Sequence, residues 1–144
     1  MSSGAVVAYT AFLGTLTATP LTCGYAVHSN RIAALERGEL PAVVVEMGDE
    51  PEPTGEAITL GQVLRYLDVT VAVLVDSATP YTAADDALIE TYDLIVADLT
   101  LGGACEFVDE GETTRERDGA GVGSVTKTWR IAYRTQRYSL LTGD

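Results

Sequence analysis

The side chains that most often carry catalysis are few in this chain, and they are not spaced as reactive groups usually are. The single histidine, His28, has no serine or cysteine placed in a sharp turn or at a helix start, where a nucleophile is activated. Asp109, Glu110 and Glu112 would serve as an acid–base pair only if one of them were buried, and their polar, glycine-flanked setting favours hydrated carboxylates. We therefore expect no catalytic residue and no enzymatic activity.

The glycine-rich segment Gly119–Ser124 has the composition of a phosphate-binding loop but not its context. A dinucleotide-binding loop lies between a strand and the start of a helix, whose backbone N–H groups bind the phosphates. Here an alternating, β-branched segment follows, so we expect a hairpin connection. The acidic segment 49–56 also lacks the ligand spacing of a calcium loop. We expect neither a cofactor nor a metal ion.

Cysteine usage and net charge limit the class of protein. Cys23 and Cys105 are the only cysteines; a disulfide is possible, but two small buried thiols fit the sequence better. Acidic residues number 21 against 9 lysines and arginines, which gives a formal net charge of −12. Since nucleic-acid binding depends on cations that neutralise phosphates, we expect no specific nucleic-acid binding. A charge of this size also simply keeps a protein soluble.

The apolar segment 4–16 is the only candidate for a targeting signal or an anchor. It lacks the basic flank of a signal peptide and is too short to cross a bilayer. We therefore expect no membrane partner, and a cytoplasmic place of synthesis and assembly.

The basic residues are concentrated near the C-terminus of an otherwise acidic chain. Arg115, Arg117, Arg130, Arg134 and Arg137 belong to a predicted final hairpin. Arg115 shares a strand face with Arg117, and Arg130 shares one with Arg134. Two interpretations stay open: an ordinary solvated strand face, or a basic surface that binds acidic residues of an identical copy in a ring.

Hydrophobic periodicity predicts the elements that position these residues. Segments 62–76 and 124–137 alternate apolar and polar residues, which predicts two long strands with one covered face each. Ala42–Val45 is apolar without a gap, which indicates a strand covered on both faces. The full set of predicted elements is helices over 4–16 and 83–99, and strands over 24–28, 41–47, 62–76, 105–108 and 124–137.

The helices and loops carry more detailed expectations. In the second helix Thr82 and Asp85 match a capping box. The segment Gly48–Glu56 has no apolar anchor, which predicts a solvated loop. The predicted buried stripes are Val6, Tyr9, Leu13 and Leu16 in the first helix, and Leu88, Tyr92, Ile95 and Leu99 in the second.

These elements together predict an α+β fold. We expect a mixed or antiparallel sheet of about five strands packed against two helices, with a long exposed final hairpin. The length suits one domain over residues 1–144.

The order of elements and two short sequences resemble a known family. Gly38–Val45 (GELPAVVV) leads into Gly48-Asp49-Glu50, and the last predicted strand contains Trp-Arg-Ile-Ala-Tyr-Arg-Thr at 129–135. Over most of residues 24–137 the chain is similar to the tail terminator proteins (minor tail protein U-like) of long-tailed bacteriophages.

The resemblance implies a structural virion protein that forms a hexameric ring on the head-proximal end of the tail tube. The ring would end tube polymerisation and provide the surface for head joining. Its implied partners are identical copies, the major tail tube protein and a head-completion or neck protein. The genome would pass through the lumen without specific binding.

The polar loop and the final hairpin are the surfaces that we expect to contact a neighbouring subunit or the tube. The candidate interface residues are Asp49, Glu50, Glu52, Glu56, Arg115, Glu116, Arg117, Arg130 and Arg134.

Two alternatives remain at this point. A head–tail connector or neck completion protein shares the small α+β format and ring symmetry. A small ligand-binding α+β domain is the alternative from another class, with Trp129 and Tyr133 lining a pocket, although core packing explains these two residues more simply.

Overall fold

The computed structural model describes residues 3–30, 37–52, 58–59, 61–77, 79–117, 122–136 and 140. Within them lie two α-helices and six strands. The elements are α1 (Gly4–Thr17), β1 (Ala26–Ser29), β2 (Ala42–Met47), β3 (Ile58–Thr59), β4 (Gln62–Asp76), α2 (Pro80–Val96), β5 (Phe107–Arg117) and β6 (Val122–Gln136).

The strands form one mixed sheet in the order β1-β2-β4-β6-β5, and the short β3 pairs with the start of β4. Strands β1 and β2 are parallel, and every other pairing is antiparallel. The longest pairing joins β4 to β6 from Gln62–Gln136 to Asp76–Val122. The predicted α+β fold is confirmed.

One face of the sheet is covered by both helices. Both helices pack on the face that carries Val69, Val71, Trp129 and Ile131, each at most 2% exposed. The predicted covered face of β4 is confirmed, since Val63 and Leu67 are buried as well. In β2 the four residues Ala42–Val45 are all buried, as their unbroken apolar run predicts.

Helix α2 lies three residues nearer the N-terminus than its predicted span of 83–99. Pro80 takes the first helical turn, where a missing N–H costs nothing. The N-cap is Thr79, which makes no side-chain cap bond, so the capping box at Thr82 is wrong. Helix α2 ends at Val96, and the carboxylate of Asp98 then binds the amides of a following turn.

Helix α2 buries mainly small side chains rather than the predicted large ones. Ala84, Ala87, Thr91 and Ile95 face the sheet, whereas Leu88 and Tyr92 are only half-buried and Leu99 is 42% exposed. At the sheet, a Cβ built on Gly123 would lie 2.3 Å from the Cβ of Pro80. The small residues therefore let the helix approach β6 closely.

The buried side of α1 is also partly different from the predicted stripe. Tyr9 and Leu16 are buried as expected, but Val6 is 41% exposed and Leu13 is half-buried. The other buried positions are Gly4, Ala5, Ala8 and Phe12. Because α1 is uncharged and apolar on most sides, its periodicity carried little information about its orientation.

The final hairpin is antiparallel, as predicted, but its first strand is much longer than the expected 105–108. Strand β5 continues through polar residues to Arg117, with an irregularity in the register between Glu110 and Thr113. Backbone pairing to β6 supplies this ladder, so apolar side chains are not required. The glycine-rich connection at 118–121 lies outside the described residues.

Candidate interaction surfaces

The two cysteines are free in the structure and form no disulfide with each other. Both are half-buried rather than fully buried as expected. Burial raises the pKa of the Cys105 thiol to about 11, and burial also raises the pKa of Cys23. Thiols that stay protonated at neutral pH are weak nucleophiles.

The acidic segment after β2 is attached to the sheet by its backbone. The N–H of Gly48 donates to the carbonyl oxygen of Asp68 at 2.7 Å, and the N–H of Asp68 donates to the carbonyl oxygen of Asp49 at 2.9 Å. Gly48 and Asp49 therefore lie opposite the single residue Asp68, as in a β-bulge. A Cβ on Gly48 would lie 2.8 Å from that Asp68 oxygen, so only glycine fits.

The carboxylate of Glu50 is the second attachment of this segment. It accepts a hydrogen bond from the hydroxyl of Tyr133, whose ring lies in the core against Gly4. Burial and then the Glu50 carboxylate raise the pKa of Tyr133. Residues 48–50 are exposed, as predicted for a solvated segment, but these hydrogen bonds attach them to the sheet. Asp49 and Glu52 are exposed, and Glu56 lies outside the described residues.

Two of the predicted interface arginines have acidic partners in their own chain. Arg130 forms a two-pronged ion pair with Asp68, with N–O distances of 2.8 and 3.2 Å. Its guanidinium also lies 5.7 Å from the ring centroid of Tyr66, and the bond to Asp68 raises the pKa of Arg130. Arg134 pairs with Glu106 at 3.3 Å. Both pairs are partly solvent-exposed, where such pairs stabilise weakly.

The arginines of the hairpin do not form one basic surface. Arg115 and Arg117 pair with Val125 and Gly123 of β6, positions on the helix-covered face of the sheet. Arg130 and Arg134 alternate with that face and lie on the opposite one. The two predicted shared faces are confirmed, but the predicted single zone is divided between both sides of the sheet. Arg137 lies outside the described residues.

At the far end of β5, Arg115, Glu116 and Arg117 are exposed on the outermost strand of the sheet. Glu116 pairs with Ser124, so its side chain is on the face opposite to the two arginines. This strand end presents both signs of charge, one on each face.

A buried lysine joins α2 to the hairpin. Lys127 is 8% exposed, and its Nζ lies 3.3 Å from Glu110 Oε1 and 3.0 Å from the carbonyl oxygen of Gly111. The same Nζ lies 5.8 Å from the ring centroids of both Tyr92 and Trp129. Lys127 was not among the predicted site residues, although its position two residues from Trp129 on the alternating strand predicts a side chain on the covered face.

Tyr92 completes this cluster by donating a hydrogen bond to Glu110 Oε2 at 2.5 Å. The hydrogen bonds from Tyr92 and then Lys127 lower the pKa of Glu110. The cluster therefore holds a carboxylate, an ammonium group and a phenol in fixed positions between α2 and β5. These three groups hydrogen-bond to one another, so the cluster stabilises the packing of α2 against the hairpin.

Glu90 fixes the segment that follows α1. Its carboxylate accepts hydrogen bonds from the N–H of Thr22 at 2.7 Å, the Thr22 hydroxyl at 3.0 Å and the N–H of Cys23 at 3.2 Å. The Thr22 amide, first among these, lowers the pKa of Glu90. Between this segment and α2 lies an open groove of about 560 Å³, lined by Thr22, Cys23, Asp86, Ile89, Glu90, Asp93 and Leu94.

Trp129 and Tyr133, the predicted lining of a ligand pocket, lie in the core instead. Each is 2% exposed. The Trp129 ring packs against Phe12 and Tyr92 at centroid distances of 6.4 and 5.5 Å. Core packing thus accounts for both aromatic residues.

The described residues also bear on membrane and metal binding. Neither described helix has both the length and the apolar character needed to cross a bilayer. Over the same residues, no three histidine, cysteine or carboxylate side chains are grouped as metal ligands.

Comparisons with known proteins give a likeness in fold. No protein-family model matches the chain, and no curated protein matches it significantly. Thirty-five chains of solved structures match, among them a chain described as "Virion of native gene transfer agent (GTA) particle". That chain superposes with a TM-score of 0.56 at 15% sequence identity, over 88% of this chain and 94% of its own length. The two proteins share their fold over nearly their whole lengths.

Proposed function

We propose that this protein is a structural virion protein of a phage-like particle. One observation carries the proposal: a virion chain shares the fold over 88% of this chain and 94% of its own length. The protein's role is assembly and not catalysis, which agrees with its protonated thiols and with carboxylates that are bound to neighbouring groups.

We further propose the finer role that the sequence resemblance implies. Six copies form a ring that caps the head-proximal end of the tail tube, ends tube polymerisation and binds the head-completion or neck protein. The ELPAVVV and GDE sequences at 39–50 and the Trp129–Thr135 sequence support this role, because they lead into and form β2, its bulge and β6. Strands β2 and β6 flank β4, the central strand of the sheet.

The charge distribution suits a ring through which a genome passes. With 21 acidic residues against 9 basic ones, a ring of copies is strongly acidic and repels nucleic acid. At physiological salt this repulsion acts over only about 8 Å, so it applies to the acids that line the hole. Repulsion without specific contacts lets the genome slide.

A neck completion protein is the second candidate, since the fold likeness to a virion chain supports it equally. Electron microscopy of particles made without this gene separates the two roles. Overlong tails would support the terminator role, whereas filled heads beside unattached tails of normal length would support the neck role. Intact particles of normal shape would contradict both, as would absence of the protein from purified particles by mass spectrometry.

A further inference from the structure

Helix α2 presents an acidic and apolar groove to solvent. The helix contains four acidic residues, Asp85, Asp86, Glu90 and Asp93, and no lysine or arginine. Glu90 is bound to Thr22 and Cys23, but Asp86 and Asp93 are exposed and have no ion pair among the described residues. Between them in the groove lies Ile89, which is 50% exposed.

The spacing of these three residues on the helix is what a cation with an aliphatic stem requires. Asp86 is three residues before Ile89 and Asp93 is four residues after it, so both are direct neighbours of Ile89 on the helix surface. An arginine whose methylene groups cover Ile89 places its guanidinium between the two carboxylates.

Arg115 is one of the described cations that are presented for such a contact. It is exposed on β5, the strand at the sheet edge, and has no ion pair in the described parts of the chain. Lys127, Arg130 and Arg134 are by contrast paired with Glu110, Asp68 and Glu106.

Strand β5 and the Thr22–Cys23 segment lie on different sides of α2, and Ile89 lies at the border between the two sides. The side of α2 that carries Leu88, Ile89 and Tyr92 faces Thr113 of β5 across a cavity of about 220 Å³. Asp86, Glu90 and Asp93 lie on the other side of the helix, next to the Thr22–Cys23 segment. In its own copy Arg115 forms no ion pair with Asp86 or Asp93 among the described residues, so these carboxylates are open to a cation from another copy. A contact between two different surfaces of identical copies propagates head to tail and closes into a ring when the rotation allows.

We propose that the groove beside α2 binds Arg115 from the β5 strand of a second copy, with the stem on Ile89 and the guanidinium paired with Asp86 and Asp93. This inference rests on the proposed ring and names the two surfaces that build it. Ile89, which is 50% exposed in the single copy, becomes covered in the assembled state.

A disulfide trap tests the contact, because Cys23 already lines the groove. In a Cys105→Ser background, Arg115→Cys brings a thiol into the groove of the next copy. A disulfide forms only when the two Cα atoms come within about 7 Å. The matched control is Thr114→Cys, an exposed neighbour on the opposite face of β5. Each variant is oxidised at pH 9, both as concentrated free protein and in purified particles, and is run on a non-reducing gel.

With Arg115→Cys we expect a ladder of linked copies that ends at the covalent ring, and we expect Cys23→Ser to abolish it. Equal linking by Thr114→Cys, a ladder that survives Cys23→Ser, or no ladder in either preparation would overturn the inference. Failure of the trap in particles that contain the protein and have tails of normal length would leave the capping role standing. Absence of the protein from particles would instead remove the proposed function, whatever the gel of the free protein shows.

Discussion

The hydroxyl of Tyr133 donates a hydrogen bond to the carboxylate of Glu50 and so joins the last strand to the acidic segment after β2. The ring of Tyr133 is buried against Gly4 of α1, while Glu50 is exposed. One residue thus connects the first helix, the final strand and a surface that the sequence suggests for subunit contact.

The Tyr133→Phe variant tests this connection. The ring packing against Gly4 stays, and the loss of one hydrogen bond to a charged group should cost about 1–2 kcal/mol of unfolding free energy. Urea unfolding at pH 7 measures the cost, and Tyr66→Phe, on the other face of β4, is the control. A cost as small as that of the control would show that the Glu50 contact contributes little.

The Cys105 thiol predicts a pH dependence of stability. Its pKa in the folded protein is about 11, against 9.0 for an ordinary thiol. The unfolded chain therefore loses this proton first, so the thiol's contribution is complete below pH 9 and disappears as the pH rises to about 11. The Cys105→Ala variant should show a smaller fall in stability over this window than the parent. Parallel curves for the two proteins in thermal unfolding from pH 8 to 11 would contradict this account.

Lys127 should stabilise the contact between α2 and the hairpin mainly through its buried stem. Lys127→Ala removes the methylene packing beside Tyr92 and Trp129 together with the ammonium group, and we expect a loss of about 2–3 kcal/mol. Lys127→Met keeps most of that packing and should cost about half as much. Chemical denaturation measures both, and an equal cost for the two variants would place the stabilisation in the charge instead.

Two glycines should respond to alanine in opposite directions. A Cβ on Gly123 would lie 2.3 Å from Pro80, so Gly123→Ala should push α2 off the sheet and cost at least about 2 kcal/mol. Gly14 lies inside α1 with nothing within 4 Å of its Cβ position. Gly14→Ala should therefore stabilise the protein by about 0.5–1 kcal/mol through its helix preference. Thermal melting of both variants checks the pair, and a shift of the same sign would contradict the packing described here.

The sequence predicted most reliably where a single period extends over a long segment. Strand β4 begins and ends at its predicted residues because alternation continues over the whole of 62–76. Strand β5 was largely missed, since its residues after Val108 are polar and only its backbone pairing with β6 defines it. The ends of α2 were displaced because Pro80 and Asp98, not the apolar stripe, set them.

The candidate surface was harder to predict than the fold, because the residues that bond to each other there are distant in the sequence. Arg130 is 62 residues from Asp68 and the Tyr133 hydroxyl is 83 residues from Glu50. Periodicity placed Arg115, Arg117, Arg130 and Arg134 correctly on their strand faces but did not predict the ion pair between Arg130 of β6 and Asp68 of β4. The groove beside α2 likewise depends on Glu90 binding a segment 67 and 68 residues earlier.

The location and number of copies in the assembled particle test the capping role most directly. Cryo-electron microscopy of purified particles should show six copies of this α+β subunit in one ring, between the last tube layer and the neck. The β5 strand of each copy should lie against α2 of the next. Particles whose tube meets the neck without this ring, or which carry the subunit elsewhere in the shell, would contradict the account.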